Sequence, residues 1–230
     1  VACMIVTLIP TSVITMASAA QVVVKDEEEL REAYETVSNG DIIRLSHDIQ
    51  LSEPLQWDRD ISITIDGSEN LYKIMPSPDF PTAPYEQQFL INITKTDVHF
   101  YHIIINGDGR VGGINIYNDC SQEQNYHFDA MTVVNTNRGA GNGSGVSISS
   151  YSDSVPVTNG FTNVNSTHVA IDNGTIFTNN YLAPDDSSSF GAALYTRGNV
   201  LVNIDDATFS NNTACSGGAI SQTYSYITMT

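Results

Sequence analysis

The chain has 230 residues, 41% of them hydrophobic and 15% charged, which lies inside the globular range and allows one sizeable core. Nine Lys and Arg stand against 26 Asp and Glu, a formal net charge of -17 at pH 7. A negative surface of that kind repels nucleic acid and anionic lipid. It leaves polyanion binding only through a bridging cation, and it is compatible with loose calcium recruitment.

Residues 1–20 form the first predicted element. The run from Val1 to Met16 is almost wholly apolar, is interrupted by Pro10 and is followed by Ala17-Ser18-Ala19-Ala20. A membrane span needs ~20 apolar residues, whereas a shorter run ending in small residues has the pattern of a signal peptide. The sequence opens at Val1 without an initiator Met or a basic segment, so the signal is read as truncated. The expectation is an exported protein, secreted or at the cell surface, and associated with the outer membrane or envelope if bacterial. Cys3 falls inside the signal. Cys120 and Cys215 remain, and two cysteines make no disulfide framework, so pairing and free thiols both stay open.

Val22 to Val24 reads as a short strand, and residues 26–38 as a helix that caps whatever follows. Asp26 is its N-cap, Glu29 its capping-box partner, and Leu30, Ala33, Tyr34 and Val37 recur at helical spacing, with Asn39-Gly40 as the stop. From Asp41 onward the pattern is of short strands, such as Ile42 to Leu45, Ile49 to Leu51 and the alternation Ile61, Ile63, Ile65 before Asp66-Gly67. No second helical pattern appears. This excludes a doubly wound sheet and leaves sandwich, barrel, propeller or solenoid.

Internal repetition selects the solenoid. Phe128-Asp129 runs through Thr132 to Asn137, Ile171-Asp172 through Thr175 to Asn180, and Ile204-Asp205 through Thr208 to Asn212, the last copy one residue shorter. A degenerate copy begins at Phe100. The opening positions lie 28, 43 and 33 residues apart, the period of a solenoid turn with variable loops. Each copy is followed by a small-residue step into another strand: Gly112-Gly113, Gly143-Ser144-Gly145, Gly191-Ala192-Ala193 and Gly217-Gly218-Ala219. The long interval contains a polar surface insertion at 152–167.

Stacked coils let Phe128, Ile171 and Ile204 lie over one another in a continuous core. Asn137, Asn180 and Asn212 are expected to stack as a ladder at a turn, and Gly191, Gly217 and Gly218 to supply a corner where a Cβ would clash. Residues 21–230 are thus expected to form a single parallel β-helix domain, all-β apart from the N-terminal capping helix. The last copy breaks off mid-repeat, so the domain is expected to continue beyond Thr230.

The pairs Phe177-Thr178-Asn179-Asn180 with Gly191-Ala192-Ala193-Leu194, and Phe209-Ser210-Asn211-Asn212 with Gly217-Gly218-Ala219-Ile220, resemble the FxxN and GGA(I/L/V) repeats of chlamydial polymorphic membrane proteins. The likeness covers the last third of the chain and extends loosely over Phe100 to Val146. The first hundred residues are similar to the N-terminal part of the pectate-lyase-like β-helix superfamily, through the helix, Asp41-Ile42-Ile43-Arg44-Leu45 and Thr64-Ile65-Asp66-Gly67. Both resemblances imply a right-handed parallel β-helix. The first implies an adhesin-like surface protein and the second a polysaccharide lyase or glycoside hydrolase.

Chemical motifs are few. Asp185-Asp186 and Asp205-Asp206 read as turn residues, and Arg110 and Arg138 as lone surface charges. His99 and His102 alternate to opposite faces of one strand while His47, His127 and His168 stand alone, so no metal spacing is read. Asn106-Gly107-Asp108-Gly109 reads as a glycine-rich turn without the ligand spacing of a calcium loop. No catalytic, metal or cofactor residue is assigned from the sequence. Asn92, Asn142, Asn165, Asn173 and Asn211 are glycan acceptors only in a eukaryotic host. Tyr117, Tyr195, Tyr224 and Tyr226 are candidate sugar-stacking or adhesive side chains. The expected role is non-enzymatic and adhesin-like or structural, toward an extracellular protein or glycan, with a polysaccharide lyase or glycoside hydrolase whose active site lies partly beyond Thr230 as the alternative.

Overall fold

The computed structural model describes residues 19–81, 89–151 and 166–230. The proposed signal, with Cys3, falls outside the described residues except for its last two positions, as do Asn165 and most of the insertion at 152–167. β1 (Gln21–Val24) leads into α1 (Glu27–Thr36). The chain then makes six circuits of three strands. The first is β2 (Ile42–Leu45), β3 (Ile49–Leu51) and β4 (Leu55–Trp57); the second is β5 (Ser62–Asp66), β6 (Lys73–Pro76) and β7 (Phe89–Ile93). The third is β8 (Asp97–Tyr101), β9 (Ile104–Asn106) and β10 (Gly112–Asn118); the fourth is β11 (Gln124–Asp129), β12 (Thr132–Val134) and β13 (Val146–Ser150). β14 (Thr167–Asp172), β15 (Thr175–Thr178) and β16 (Leu194–Gly198) make the fifth, and β17 (Val200–Ile204), β18 (Ala207–Ser210) and β19 (Ile220–Thr223) the sixth, before β20 (Tyr226–Met229).

The first strand of every circuit joins an eight-stranded sheet, β1-β2-β5-β8-β11-β14-β17-β20. Second strands form β3-β6-β9-β12-β15-β18 and third strands β4-β7-β10-β13-β16-β19. The ladders are parallel and none of the sheets closes on itself. This all-β arrangement, with one helix among the described residues, is consistent with a parallel β-solenoid.

Register explains why such short strands hold. Ile43, Ile65, Phe100, Phe128, Ile171 and Ile204 are successive partners along the eight-stranded sheet, and all are buried. Ile49, Ile74, Ile105, Val133, Phe177 and Phe209 are successive partners in the second sheet, all buried except the partly buried Phe209. Leu55, Ile91, Ile114, Val146, Leu194 and Ile220 line the third. A strand of three to five residues has one or two inward side chains. Only stacking makes them a core.

α1 begins at Asp26, whose Oδ1 accepts from the Glu29 amide at 3.0 Å. Glu29 reaches one residue further back than a capping box requires, its Oε2 accepting from the Lys25 amide at 3.0 Å. The helix ends at Thr36, short of the expected Ser38. Asp41 Oδ2 takes the Ser38 amide at 2.8 Å, and that turn competes with another helical residue. Asn39 instead accepts from Ser62 of β5, its Oδ1 2.7 Å from the amide. Arg59 donates to the end carbonyls of Tyr34 and Val37, orphaned by the helix stop. Leu30, Ala33 and Tyr34 are buried in the same core cluster as the strands. Tyr34 stacks on Trp57 at 5.8 Å between centroids, Trp57 on Phe100 at 6.1 Å, and Phe100 meets Phe128 at 5.7 Å.

The asparagine ladder forms with one changed member. Asn180 Nδ2 donates to Asn212 Oδ1 at 2.9 Å, while Asn180 Oδ1 accepts from Thr136 Oγ1 at 2.7 Å. Thr136 thus occupies the place expected of Asn137, which pairs instead with Tyr181 and holds the Gly139 amide on its side chain at 2.8 Å. The cause is one extra residue in the turn Asp172-Asn173-Gly174, which moves Thr175 out of register with Thr132 and Thr208; both partner Ile176. The copy starting at Ile171 is therefore the long one, and the copy starting at Ile204 is not shortened.

At the corner before the third sheet, Gly191 has φ +63 and Gly217 φ +60. A Cβ at Gly191 would come within 2.5 Å of the Leu194 carbonyl, so the left-handed turn and the close approach both require glycine there. Gly218 is not left-handed, but a Cβ on it would lie 2.7 Å from the Asn212 carbonyl.

Candidate functional site on the outer face of the eight-stranded sheet

Alternation sends every second residue of this sheet outward. The outward residues of β8 and β11 are polar. Asp97, His99, Asn125, His127, His168 and Asn203 line a trough of about 360 Å³.

Parallel, in-register pairing places His127 directly beside His99 and Asp129 beside Tyr101 and Asp172. The two imidazoles stack with centroids 4.4 Å apart and planes 11° from parallel. His99 Nε2 donates to Asp129 Oδ2 at 3.2 Å, and His127 Nε2 donates to Asp172 Oδ1 at 2.8 Å. Asp129 Oδ1 accepts from Asn173 Nδ2 at 2.8 Å. Each histidine is thus oriented by a carboxylate one circuit further on. His168 at the edge of the trough bonds Ser166 Oγ at 2.8 Å.

Electrostatics follow from partial burial beside like groups. Desolvation, with the neighbouring His127, holds the His99 imidazole below its ordinary range despite the opposing pull of Asp129. Burial raises the Asp97 carboxyl, and Asp60 and Glu123 add to the effect against the lowering hydrogen bond from Asn125. Burial also drives the Tyr126 phenol upward; its hydroxyl donates to Gln124 Oε1 at 2.9 Å.

The donor atoms of His99, His127 and Asp129 lie within 4.8 Å of one another, the spacing of a group able to hold a metal ion. This corrects the sequence reading, in which His127 stood alone and His99 was compared with His102. His102 lies in a turn at φ +49 with its ring stacked 3.9 Å from Tyr101. The missing signal was present: the step from Phe100 to Phe128 is also the step from His99 to His127.

Among the other candidate residues, Arg138 and Tyr195 depart from expectation by being buried. Arg138 is buried, with its guanidinium 4.3 Å from the Phe89 ring centroid and its Nη1 donating to the Asn142 carbonyl at 2.7 Å. Arg110 pairs with Asp108 at 3.1 Å and donates to the Ser77 carbonyl at 3.0 Å. Asp129 and Asp172 hold histidines, and Asp206 sits in a turn at φ +54. Tyr195 is buried, whereas Tyr117, Tyr224 and Tyr226 are exposed. Cys120 and Cys215 are not joined in a disulfide: Cys120 is half-buried with its Sγ 3.5 Å from Ser150 Oγ, and Cys215 is exposed. Among the sequons, Asn173 and Asn211 are exposed turn residues at φ +52 and +53. Asn92 is half-buried and accepts from Asn115, and Asn142 is half-buried and bridges to Phe190.

The chain matches no protein-family model, no curated protein and no solved structure. Among the described residues, no helix is long and apolar enough to cross a membrane.

Proposed function

We propose that the chain is an exported, surface-displayed or secreted repeat protein of adhesin-like, non-enzymatic role, presenting the outer face of the eight-stranded sheet to an extracellular protein or glycan. Its scaffold is a right-handed parallel β-helix of the pectate-lyase-like kind, with repeats like those of the chlamydial polymorphic membrane proteins and α1 as the lid on its first circuit. The observation that carries this reading is the division of labour on that sheet: inward positions are mainly apolar, with Gln124 and Thr167 as buried polar exceptions, and the outward residues Asp97, His99, Asn125, His127, His168 and Asn203 line one trough. A stacked column holds such side chains at fixed spacing at little cost on binding. Support for the lid is the contact of α1 with β1 and β3, which end two of the sheets, with β2 next to β1, and through Arg31 with Glu53 and Pro54 beside β4, which ends the third.

The test is binding of the purified chain to arrayed glycans and to host-type cell surfaces. Ser166 and Thr167, at the end of the expected insertion, are buried and Thr167 opens β14. Substitution of Asn125, His168 and Asn203 by Ala, or deletion of residues 152–165, is expected to weaken retention by about tenfold or more, roughly 1.4 kcal/mol. Retention unchanged by both alterations overturns the reading.

The alternative, a polysaccharide lyase or glycoside hydrolase, draws on the same trough because paired carboxylates and imidazoles are acid–base groups. Release of reducing ends or unsaturated products from acidic or neutral polysaccharides, lost in an Asp129→Asn variant, would establish it.

A further inference from the structure

His99, His127 and Asp129 sit on β8 and β11, the fourth and fifth strands of the eight-stranded sheet, with paired neighbours on both sides. Their backbones are therefore fixed more firmly than a loop would fix them. The side chains project from the same face: His127 and Asp129 are two residues apart on one strand, and His99 lies across from His127. His99 and His127 are each about one-third exposed. An ion from solvent can reach them.

We propose that these three residues form a binding site for a divalent transition-metal ion of the zinc class. Two imidazoles and one carboxylate are a donor set suited to zinc, cobalt, nickel or copper and poorly suited to calcium or magnesium, which take oxygen ligands. Zinc bonds of about 2.0–2.1 Å put tetrahedral donors about 3.3 Å apart. The His99 and Asp129 atoms already meet that at 3.2 Å. His127 must tilt out of its parallel stack to close the remaining distance, a side-chain rotation that leaves the ladder intact. The ion takes the place of the hydrogen between His99 Nε2 and Asp129 Oδ2, and the imidazole carries its proton on Nδ1. One outer partner is in place, since Asn173 holds the second oxygen of Asp129. Asp172 holds His127 through Nε2, and that bond persists if His127 ligates through Nδ1. The net charge of -17 raises the local concentration of any cation. The fourth coordination position faces the trough. The site stands independently of whether the face also binds a glycan.

The competing description is two histidine–aspartate hydrogen bonds that serve the ladder alone, and metal titration separates the two. The chain is stripped with chelator and titrated calorimetrically with zinc chloride. One zinc per chain is expected, weakened in His99→Ala and in His127→Ala by more than the roughly 10–100-fold that loss of an outer partner costs, unaffected in His47→Ala and not displaced by millimolar calcium. Copper loaded in place of zinc is expected to show two coupled nitrogens by electron paramagnetic resonance, and one in either histidine variant. Circular dichroism checks that the variants remain folded; if one does not, His99→Asn and His127→Asn replace it. Zinc affinity unchanged in the histidine variants, loss through His168→Ala instead, or equal competition by calcium overturns the proposal.

Discussion

Asn180 is fully buried and serves three neighbours at once. Its side chain accepts from the Thr136 hydroxyl and amide, donates to the Val133 carbonyl at 3.2 Å, and donates to Asn212. Asparagine suits the place because it offers donors and an acceptor on one short planar group. Asn180→Ala is expected to cost about 1–3 kcal/mol for each backbone group left unpaired in the interior. Asn211→Ala next to the ladder, at an exposed position, is expected to cost less, through its left-handed backbone alone. Urea unfolding of the two variants ranks them, and a smaller loss at Asn180 would show that water repairs the ladder. The histidines teach a related lesson: the same stacking that satisfies an amide in the wall brings two imidazoles into contact outside it.

At the scale of the element, a strand of three to five residues owes its stability to the circuits on either side. Phe128 is enclosed between Phe100 and Ile171, whereas Phe209 has one partner, Phe177, stacked on it at 4.9 Å, and is only partly buried. Phe128→Ala is therefore expected to cost about 3–5 kcal/mol and Phe209→Ala clearly less, since removing a partly buried side chain leaves less of a cavity. Chemical denaturation of the two variants measures this, and equal losses would mean that burial depth does not order the coils. α1 is tied in by packing and by Arg59 on its terminal carbonyls as well as by Asp26.

The whole molecule carries a formal net charge of -17 at pH 7. Carboxylates outnumber cations by nearly three to one, and the described ion pairs are mostly exposed, so each contributes little. Self-repulsion should then dominate the response to salt. The melting temperature is expected to rise by several degrees as sodium chloride goes from about 0.01 M to about 0.5 M, where the Debye length falls from ~30 Å to a few ångströms. A flat or falling curve in differential scanning calorimetry would show that the carboxylates are already locally compensated.

Alternation and period belong to the chain itself, because inward positions must be apolar wherever a strand is stacked. From them Phe128, Ile171 and Ile204 could be placed over one another, Asp26 at the head of a helix, and glycine at the corner of Gly191 and Gly217. What remained hidden depended on how many residues each turn consumes. One additional residue at Asn173-Gly174 displaced the frame, so Thr136 rather than Asn137 joined the ladder. The histidine and aspartate cluster was hidden more deeply, since its members come from two circuits and no local window contains them. Linear order told which side chains of one strand share a face, though not that Tyr195 and Arg138 are buried. Only the stacking of one circuit on the next, with parallel strands in register, decided which side chains meet across that face.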